Sequence, residues 1–308
     1  MQYRTLGKTG ERVSAIGLGG AHIARPQDPA ETTRLIHAAI DGGMTFMDNC
    51  WDYHSGQAEV KMGHALRGGY RERVFLMTKI DGQSREAAAA QIDQCLERLQ
   101  TDHIDLMQLH EMIRMDDPER VFAPNGAIEA LVAAREAGKI RYIGFTGHKD
   151  PHIHLKMLDQ GFDFDTVQMP LNVIDYHHNS FQALVLPVLV ERKIGVLGMK
   201  PLASGRLPKE GTITAEECLR YALSLPTSVV ITGCENARDL EQALRVGDTF
   251  SPMNRTEIDE LQQRATSVDG ADGGKIEGWK TTGDFDGTVK NPHWMTTASV
   301  TAKRRTED

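Results

Sequence analysis

Eight short apolar runs, each followed by an amphipathic segment, predict an α/β chain built as a single (β/α)8 TIM barrel, with an N-terminal β-hairpin and a C-terminal extension. Three observations carry this reading. The strand-then-helix alternation repeats until about residue 248. The runs are continuous and rich in β-branched residues, as parallel strands buried on both faces require; Ile194-Gly195-Val196-Leu197-Gly198-Met199 is an example. The length of 308 residues accommodates one barrel of roughly 250 residues plus appendages.

The strands are expected at 15–18, 45–48, 74–78, 104–109, 142–146, 166–169, 195–199 and 228–232. Helical spacing of apolar residues follows at 30–41, 58–67, 84–99, 126–137, 151–160, 180–192, 214–223 and 237–246. Ser84 is a candidate N-cap, and Gly138 and Gly161 supply helix stops. An open dinucleotide-binding sheet is disfavoured, because Gly17-Leu18-Gly19-Gly20-Ala21-His22 carries His where the third fingerprint glycine belongs. Residues 1–14 read as the hairpin, with its turn at Lys8-Thr9-Gly10-Glu11, residues 15–250 as the barrel and residues 251–308 as the helix and loop extension. The extension contains Trp279, Phe285 and Trp294, more aromatic surface than a disordered tail usually carries. Those rings cover either the outside of a helix or the active site.

Composition removes several function classes. The 35 Lys and Arg against 43 Asp and Glu give a net charge of −8, a poor balance for nucleic acid. Cys50, Cys95, Cys218 and Cys234 have no CxxC spacing, so neither a zinc ribbon nor a disulfide framework is suggested and a reducing, cytoplasmic setting fits. No window approaches the roughly 20 apolar residues of a membrane span. The expected partner is a small molecule, with the chain a monomer or weak homo-oligomer.

In a βα barrel the reactive groups stand at the C-terminal ends of the strands. The second strand ends at Asp48, the third at Lys79 and the fourth at His110, and Tyr53 follows Asp48 closely enough to bring its phenol over the same mouth. Singly, these residues have ordinary explanations as a helix cap, a solvated lysine, a core histidine and an interface aromatic. On neighbouring strand ends they make one machine. A carbonyl that receives hydride needs a proton on its oxygen, and a phenol of pKa near 10 is a weak donor unless its neighbours help. Lys79 is expected to lower the Tyr53 pKa, Asp48 to keep Lys79 charged, and His110 to hydrogen-bond the carbonyl oxygen or assist the proton transfer.

The chain resembles the aldo-keto reductase superfamily from about residue 3 to 250. The strings that carry the resemblance are Tyr3-Arg4-Thr5-Leu6-Gly7-Lys8-Thr9-Gly10, Thr45-Phe46-Met47-Asp48 with Tyr53, Met77-Thr78-Lys79, the stretch from Leu96 through Asp102-His103-Ile104-Asp105-Leu106 to Leu109-His110, and Gly138-Lys139-Ile140-Arg141-Tyr142-Ile143-Gly144-Phe145-Thr146. The resemblance implies NAD(P)H-dependent reduction of an aldehyde or ketone, with Asp48, Tyr53, Lys79 and His110 as the catalytic tetrad and Tyr53 as the acid. It also implies cofactor contacts at Gly20, Asp48, Thr146, Gln168, Lys200, Leu202, Ser204, Arg206, Gly233, Cys234 and Arg238. Gln168 matches the family's carboxamide-binding Gln. Gly147 replaces the usual Asn, Lys200 replaces the aromatic that stacks on nicotinamide, and Ala243 occupies a position where many relatives carry Asn. The string Ile231-Thr232-Gly233-Cys234-Glu235-Asn236-Ala237-Arg238 resembles the turn that holds the adenosine end. Arg238 paired with a 2′-phosphate favours NADP(H) over NAD(H).

The twelve histidines include His148, His152, His154 and the adjacent His177-His178, but their spacing makes no metal site, and none is expected. His148 is expected to line the pocket, and Glu111 is either a surface residue or one that shapes substrate choice. Trp51, Trp279 and Trp294 are candidate apolar walls. The alternative reading within the superfamily is a regulatory cofactor-binding barrel like the auxiliary subunits of potassium channels. A barrel hydrolase or isomerase needs a nucleophile or metal constellation that the sequence does not offer.

Overall fold

The computed structural model describes residues 1–26, 28–177, 179–209, 211–271, 275–283 and 285–297. An antiparallel pair, β1 (Tyr3–Thr5) and β2 (Arg12–Ser14), precedes a closed barrel of β3 (Ile16–Gly19), β4 (Phe46–Asp48), β5 (Phe75–Ile80), β6 (Ile104–Leu109), β7 (Ile140–Thr146), β8 (Thr166–Pro170), β9 (Gly195–Met199) and β10 (Val229–Thr232). All neighbours in the barrel are parallel, and β10 closes on β3 through Val230↔Ile16. The architecture is therefore the (β/α)8 barrel with an N-terminal hairpin. β5 and β6 are buried along their whole length, which is why their sequences read as unbroken apolar runs.

The helices follow the strands as the spacing predicts, with one interruption. The stretch 180–192 forms two helices, Phe181–Leu184 and Leu186–Glu191. Pro187 lies at the start of the second, and with no N–H of its own and a ring that crowds the preceding turn it cannot sit inside a continuous helix. Ser84 caps Arg85–Leu99 by accepting from the Ala87 N–H at 3.2 Å.

The hairpin closes the bottom of the barrel. Its turn spans residues 6–11, with the Leu6 N–H donating to the Glu11 carbonyl at 2.9 Å. Leu6 is fully buried in a cluster with Phe46, Phe75, Met77, Leu106, Leu197, Val229 and Ile231. Gly7 next to it has φ +53°, and a Cβ there would stand 2.3 Å from the Gly195 nitrogen. The chain can lie this close to the barrel floor only without a side chain.

The extension begins with the helix Arg255–Ala271, whose Leu261, Ala265 and Val268 pack with Tyr221, Leu207 and Trp279 in a second apolar cluster. It then crosses the loops at the C-terminal face. Arg206, after β9, donates to the carbonyls of Lys275 (2.6 Å) and Ile276 (3.3 Å). Asn172, after β8, bonds Glu277 at 2.9 Å, and Lys149, after β7, bonds Asp286 at 2.6 Å. Glu111, after β6, accepts from the N–H groups of Gly287 and Thr288 and from the Thr288 hydroxyl at 2.7–2.8 Å. Past β5, the Gln83 N–H donates to the Met295 carbonyl at 2.8 Å. This strap ties five consecutive loops across the mouth.

Leu6→Ala is expected to destabilise the protein by about 3 kcal/mol in urea unfolding, because it opens a cavity in the barrel floor. A loss below about 0.5 kcal/mol, the level of a surface substitution, would mean that the hairpin does not plug the barrel.

Candidate active site

Asp48 is the last residue of β4, Lys79 lies near the end of β5, and His110 directly follows β6. Tyr53 opens the short turn Tyr53–Gly56, in which His54 and Ser55 adopt φ of 51° and 55°. His54 anchors the turn through a 2.7 Å contact with the Ala21 carbonyl. Lys79 is 1% exposed and its ammonium donates to Asp48 Oδ1 at 2.5 Å, to the Asn49 carbonyl at 2.6 Å and to the Tyr53 hydroxyl at 3.4 Å. It also lies over the Tyr53 ring, 4.8 Å from its centroid, a favourable cation–π position. The Tyr53 and His110 rings meet edge to face at 6.0 Å.

The electrostatics differ from the expectation for Tyr53. Burial, then the charges of Asp48, Cys50, Asp52 and Glu111, push its pKa well above 10. Burial and these negative charges outweigh the Lys79 charge that was expected to lower it, so the phenol stays protonated in the free protein. Burial lowers the His110 pKa and keeps the imidazole neutral. Its Nδ1 contacts Asp81 Oδ1 at 2.9 Å, and burial raises the Asp81 carboxyl to about 7.

These four residues open into a cleft of about 750 Å3, ample for a cofactor's reactive end plus a small substrate. Of the sequence-assigned cofactor contacts, Asp48, Thr146, Gln168, Lys200, Leu202, Ser204 and Gly233 line it; Gly20, Arg206, Cys234 and Arg238 do not. Arg206 is engaged with the strap, Cys234 is buried in the core and Arg238 is exposed. The side-chain oxygen Oε1 of Gln168 is buried with no hydrogen-bond partner. An unpaired buried amide oxygen calls for a donor, and the N–H of a nicotinamide carboxamide suits it, so this part of the cleft fits the cofactor. Lys200 lies 4.9 Å from the centroid of Phe285 and 5.8 Å from that of Trp279. Burial lowers its pKa to about 8.

His148, Glu111 and Phe285, of the extension, line the cleft, as do Asp52, Glu235 and Asp239, which sequence reasoning did not single out there. Trp51, Trp279 and Trp294 are outside the lining and act as core: Trp51 is fully buried and meets Trp294 edge-on at 5.8 Å. The signal for Asp52 was its place beside Tyr53; that for Phe285 was an aromatic in a polar tail.

The pattern of the Aldo/keto reductase family matches residues 15–217. Aldo-keto reductase YhdN of Bacillus subtilis is 31% identical over 235 residues, covering 70% of this chain and 66% of that protein. L-galactose dehydrogenase of Arabidopsis thaliana is 29% identical over 223 residues, covering 68% of each. Among solved structures, the holo form of an aldo-keto reductase from Bacillus halodurans superposes with a TM-score of 0.72 over 87% of this chain and 96% of its own, at 22% identity. A barrel of this topology, with its family pattern running from β3 to the helix before β10, places the chain in the aldo-keto reductase family.

Proposed function

We propose that the protein reduces a small aldehyde or ketone to the alcohol with NAD(P)H, Tyr53 delivering the proton. The observation that carries this is the Tyr53 hydroxyl 3.4 Å from the ammonium of Lys79, which is itself held by Asp48 at the barrel mouth. Bound NAD(P)H supplies the hydride. Gln168 and Thr146 would hold the carboxamide, and Leu202, Ser204 and Gly233 would follow the cofactor toward its adenosine end. Tyr53 passes its proton to the carbonyl oxygen, and the phenolate left behind is stabilised by Lys79. Asp48 keeps Lys79 in place, and neutral His110 orients the carbonyl oxygen by hydrogen bonding. Four free, buried cysteines support a reducing compartment such as the cytoplasm.

The lining bears on cofactor choice. The expectation of NADP(H) rested on Arg238, which lies outside the cleft, whereas Glu235 and Asp239 line it. His22 and Arg25 pair with Glu235 and so are already engaged. The same pairing engages Glu235, which leaves Asp239 as the lining carboxylate that accepts from a ribose hydroxyl and repels a 2′-phosphate, and this supports NAD(H) over NADP(H). The Lys200 ammonium, flanked by aromatic rings, suits a substrate carrying a carboxylate.

Tyr53→Phe is expected to lower the rate of aldehyde reduction by about 10²–10⁴-fold while nicotinamide fluorescence shows cofactor binding within about twofold of wild type, a difference near RT ln 2; unchanged turnover would exclude Tyr53 as the acid. In steady-state kinetics kcat/KM should favour NADH, and Glu235→Lys should shift the ratio toward NADPH by about tenfold; a wild-type preference for NADPH would contradict the reading of the lining. The third expectation concerns pH. Lys200 is cationic below about 8 and faces Glu111, Lys79 and Asp48. The KM for a carboxylated aldehyde should therefore rise as pH passes 8 while that for an uncharged aldehyde stays flat, and Lys200→Met should remove the difference; parallel profiles in wild type would refute the anion subsite.

A further inference from the structure

Beside the catalytic tetrad, a second group of ligating side chains converges behind His110. We propose that Cys50, Asp52, Asp81 and His110 form a binding site for one thiophilic divalent cation of the Zn2+ class. The residues come from three consecutive barrel units: Cys50 and Asp52 follow β4, Asp81 follows β5 and His110 follows β6. Their separations along the chain match no linear metal motif, which is why the histidine spacings point elsewhere. The barrel assembles the set.

The geometry suits a tetrahedral ion. One ligand atom from each residue lies within 4.8 Å of all the others. His110 Nδ1 is 2.9 Å from Asp81 Oδ1, 3.2 Å from Cys50 Sγ and 3.7 Å from Asp52 Oδ1. Around tetrahedral zinc, with Zn–S about 2.3 Å and Zn–N or Zn–O about 2.0–2.2 Å, neighbouring ligand atoms stand roughly 3.3–3.7 Å apart. Small side-chain shifts bring all four donors to that spacing.

A second, independent observation points to a ligand. Asp81 is 1% exposed, yet its Oδ2 has no hydrogen-bond partner, and neither has Asp52 Oδ1. Buried carboxylate oxygens are normally satisfied, because leaving one without a donor forfeits its hydration. The Lys79 ammonium is shared among Asp48, Asn49 and Tyr53, and His110 Nδ1 carries at most one hydrogen. A dication satisfies both carboxylates at once. The donor set of thiolate, imidazole and carboxylate selects zinc-like ions over Mg2+ and Ca2+, which take oxygen ligands. Binding displaces the Cys50 thiol proton to solvent as the S–metal bond forms. Coordination at Nδ1 also leaves Nε2 as the only N–H of the His110 ring, so occupancy sets the tautomer of that residue.

The test is a Co2+ titration of the chelator-treated full-length protein under reducing conditions. One equivalent of Co2+ should produce a thiolate-to-cobalt charge-transfer band in the near ultraviolet and intense tetrahedral bands in the visible, and Zn2+ should abolish both. Competition of Zn2+ against a chromophoric chelator should then return one site per chain with micromolar or tighter affinity. Cys50→Ser and Asp81→Asn should each weaken it at least about tenfold, whereas His152→Ala on the surface should not. The wild-type cobalt spectrum needs no variant to fold. Absence of the charge-transfer band, or a zinc affinity unchanged in Cys50→Ser, would overturn the site while leaving the carbonyl reading intact.

Discussion

A lysine with 1% of its surface exposed, Lys79, lines the barrel mouth. Burying a lysine charge costs several kcal/mol unless geometry and further hydrogen bonds compensate it. For Lys79 the compensation is specific: Asp48 on the neighbouring strand, the Asn49 carbonyl and the phenol of Tyr53. β4 and β5 must be in register for it, with Asp48 opposite Met77, and the loop after β4 must turn back through the left-handed His54 and Ser55. The same contacts hold the phenol next to a cation, while burial keeps it protonated. Structure and chemistry thus depend on one pair.

The two ends of the barrel are built differently for a reason. Its floor needs only exclusion of water, which Leu6 and the aromatic pair Phe46 and Phe75, stacked at 5.4 Å, provide. Its mouth must hold charges of both signs. Lys79 and Lys200 face Asp48, Asp52 and Glu111 there, in a molecule of net charge −8. The strap contributes to both the packing and the chemistry of this end: Trp279 and Trp294 pack into the body, while Phe285 reaches the cleft. Glu111 is the hinge between the two, because its carboxylate lines the cleft and also holds the strap backbone.

The barrel was legible because buried parallel strands leave continuous apolar runs, and the tetrad because barrel topology makes strand ends the places to look. Asp48, Lys79, His110 and Tyr53 do converge. What depended on contacts between distant segments was not legible. Glu111 and Thr288 are 177 residues apart, and nothing local in either predicts the other. Arg206 looked like an anion ligand by sequence, but a carbonyl of the strap reaches it. The tryptophans were candidates for pocket walls from their place in the loops and tail, whereas large rings bury most area in the core. The acidity of Tyr53 was misjudged because burial, which sequence does not reveal, raises a phenol first, and the charges of Asp48, Cys50, Asp52 and Glu111 push in the same direction. Cys50, Asp52, Asp81 and His110 escaped for the same topological reason that the barrel brings them together.

Under the proposed function, hydride passes from nicotinamide directly to a carbonyl carbon while Tyr53 protonates the oxygen. Its most direct test is a turnover with nicotinamide deuterated at the transferred C4 position, followed by mass spectrometry of the alcohol. One deuterium is expected on the carbinol carbon per turnover, from one face of the ring only. Cofactor oxidation that leaves the alcohol unlabelled, or no carbonyl reduction with either reduced cofactor, would contradict it.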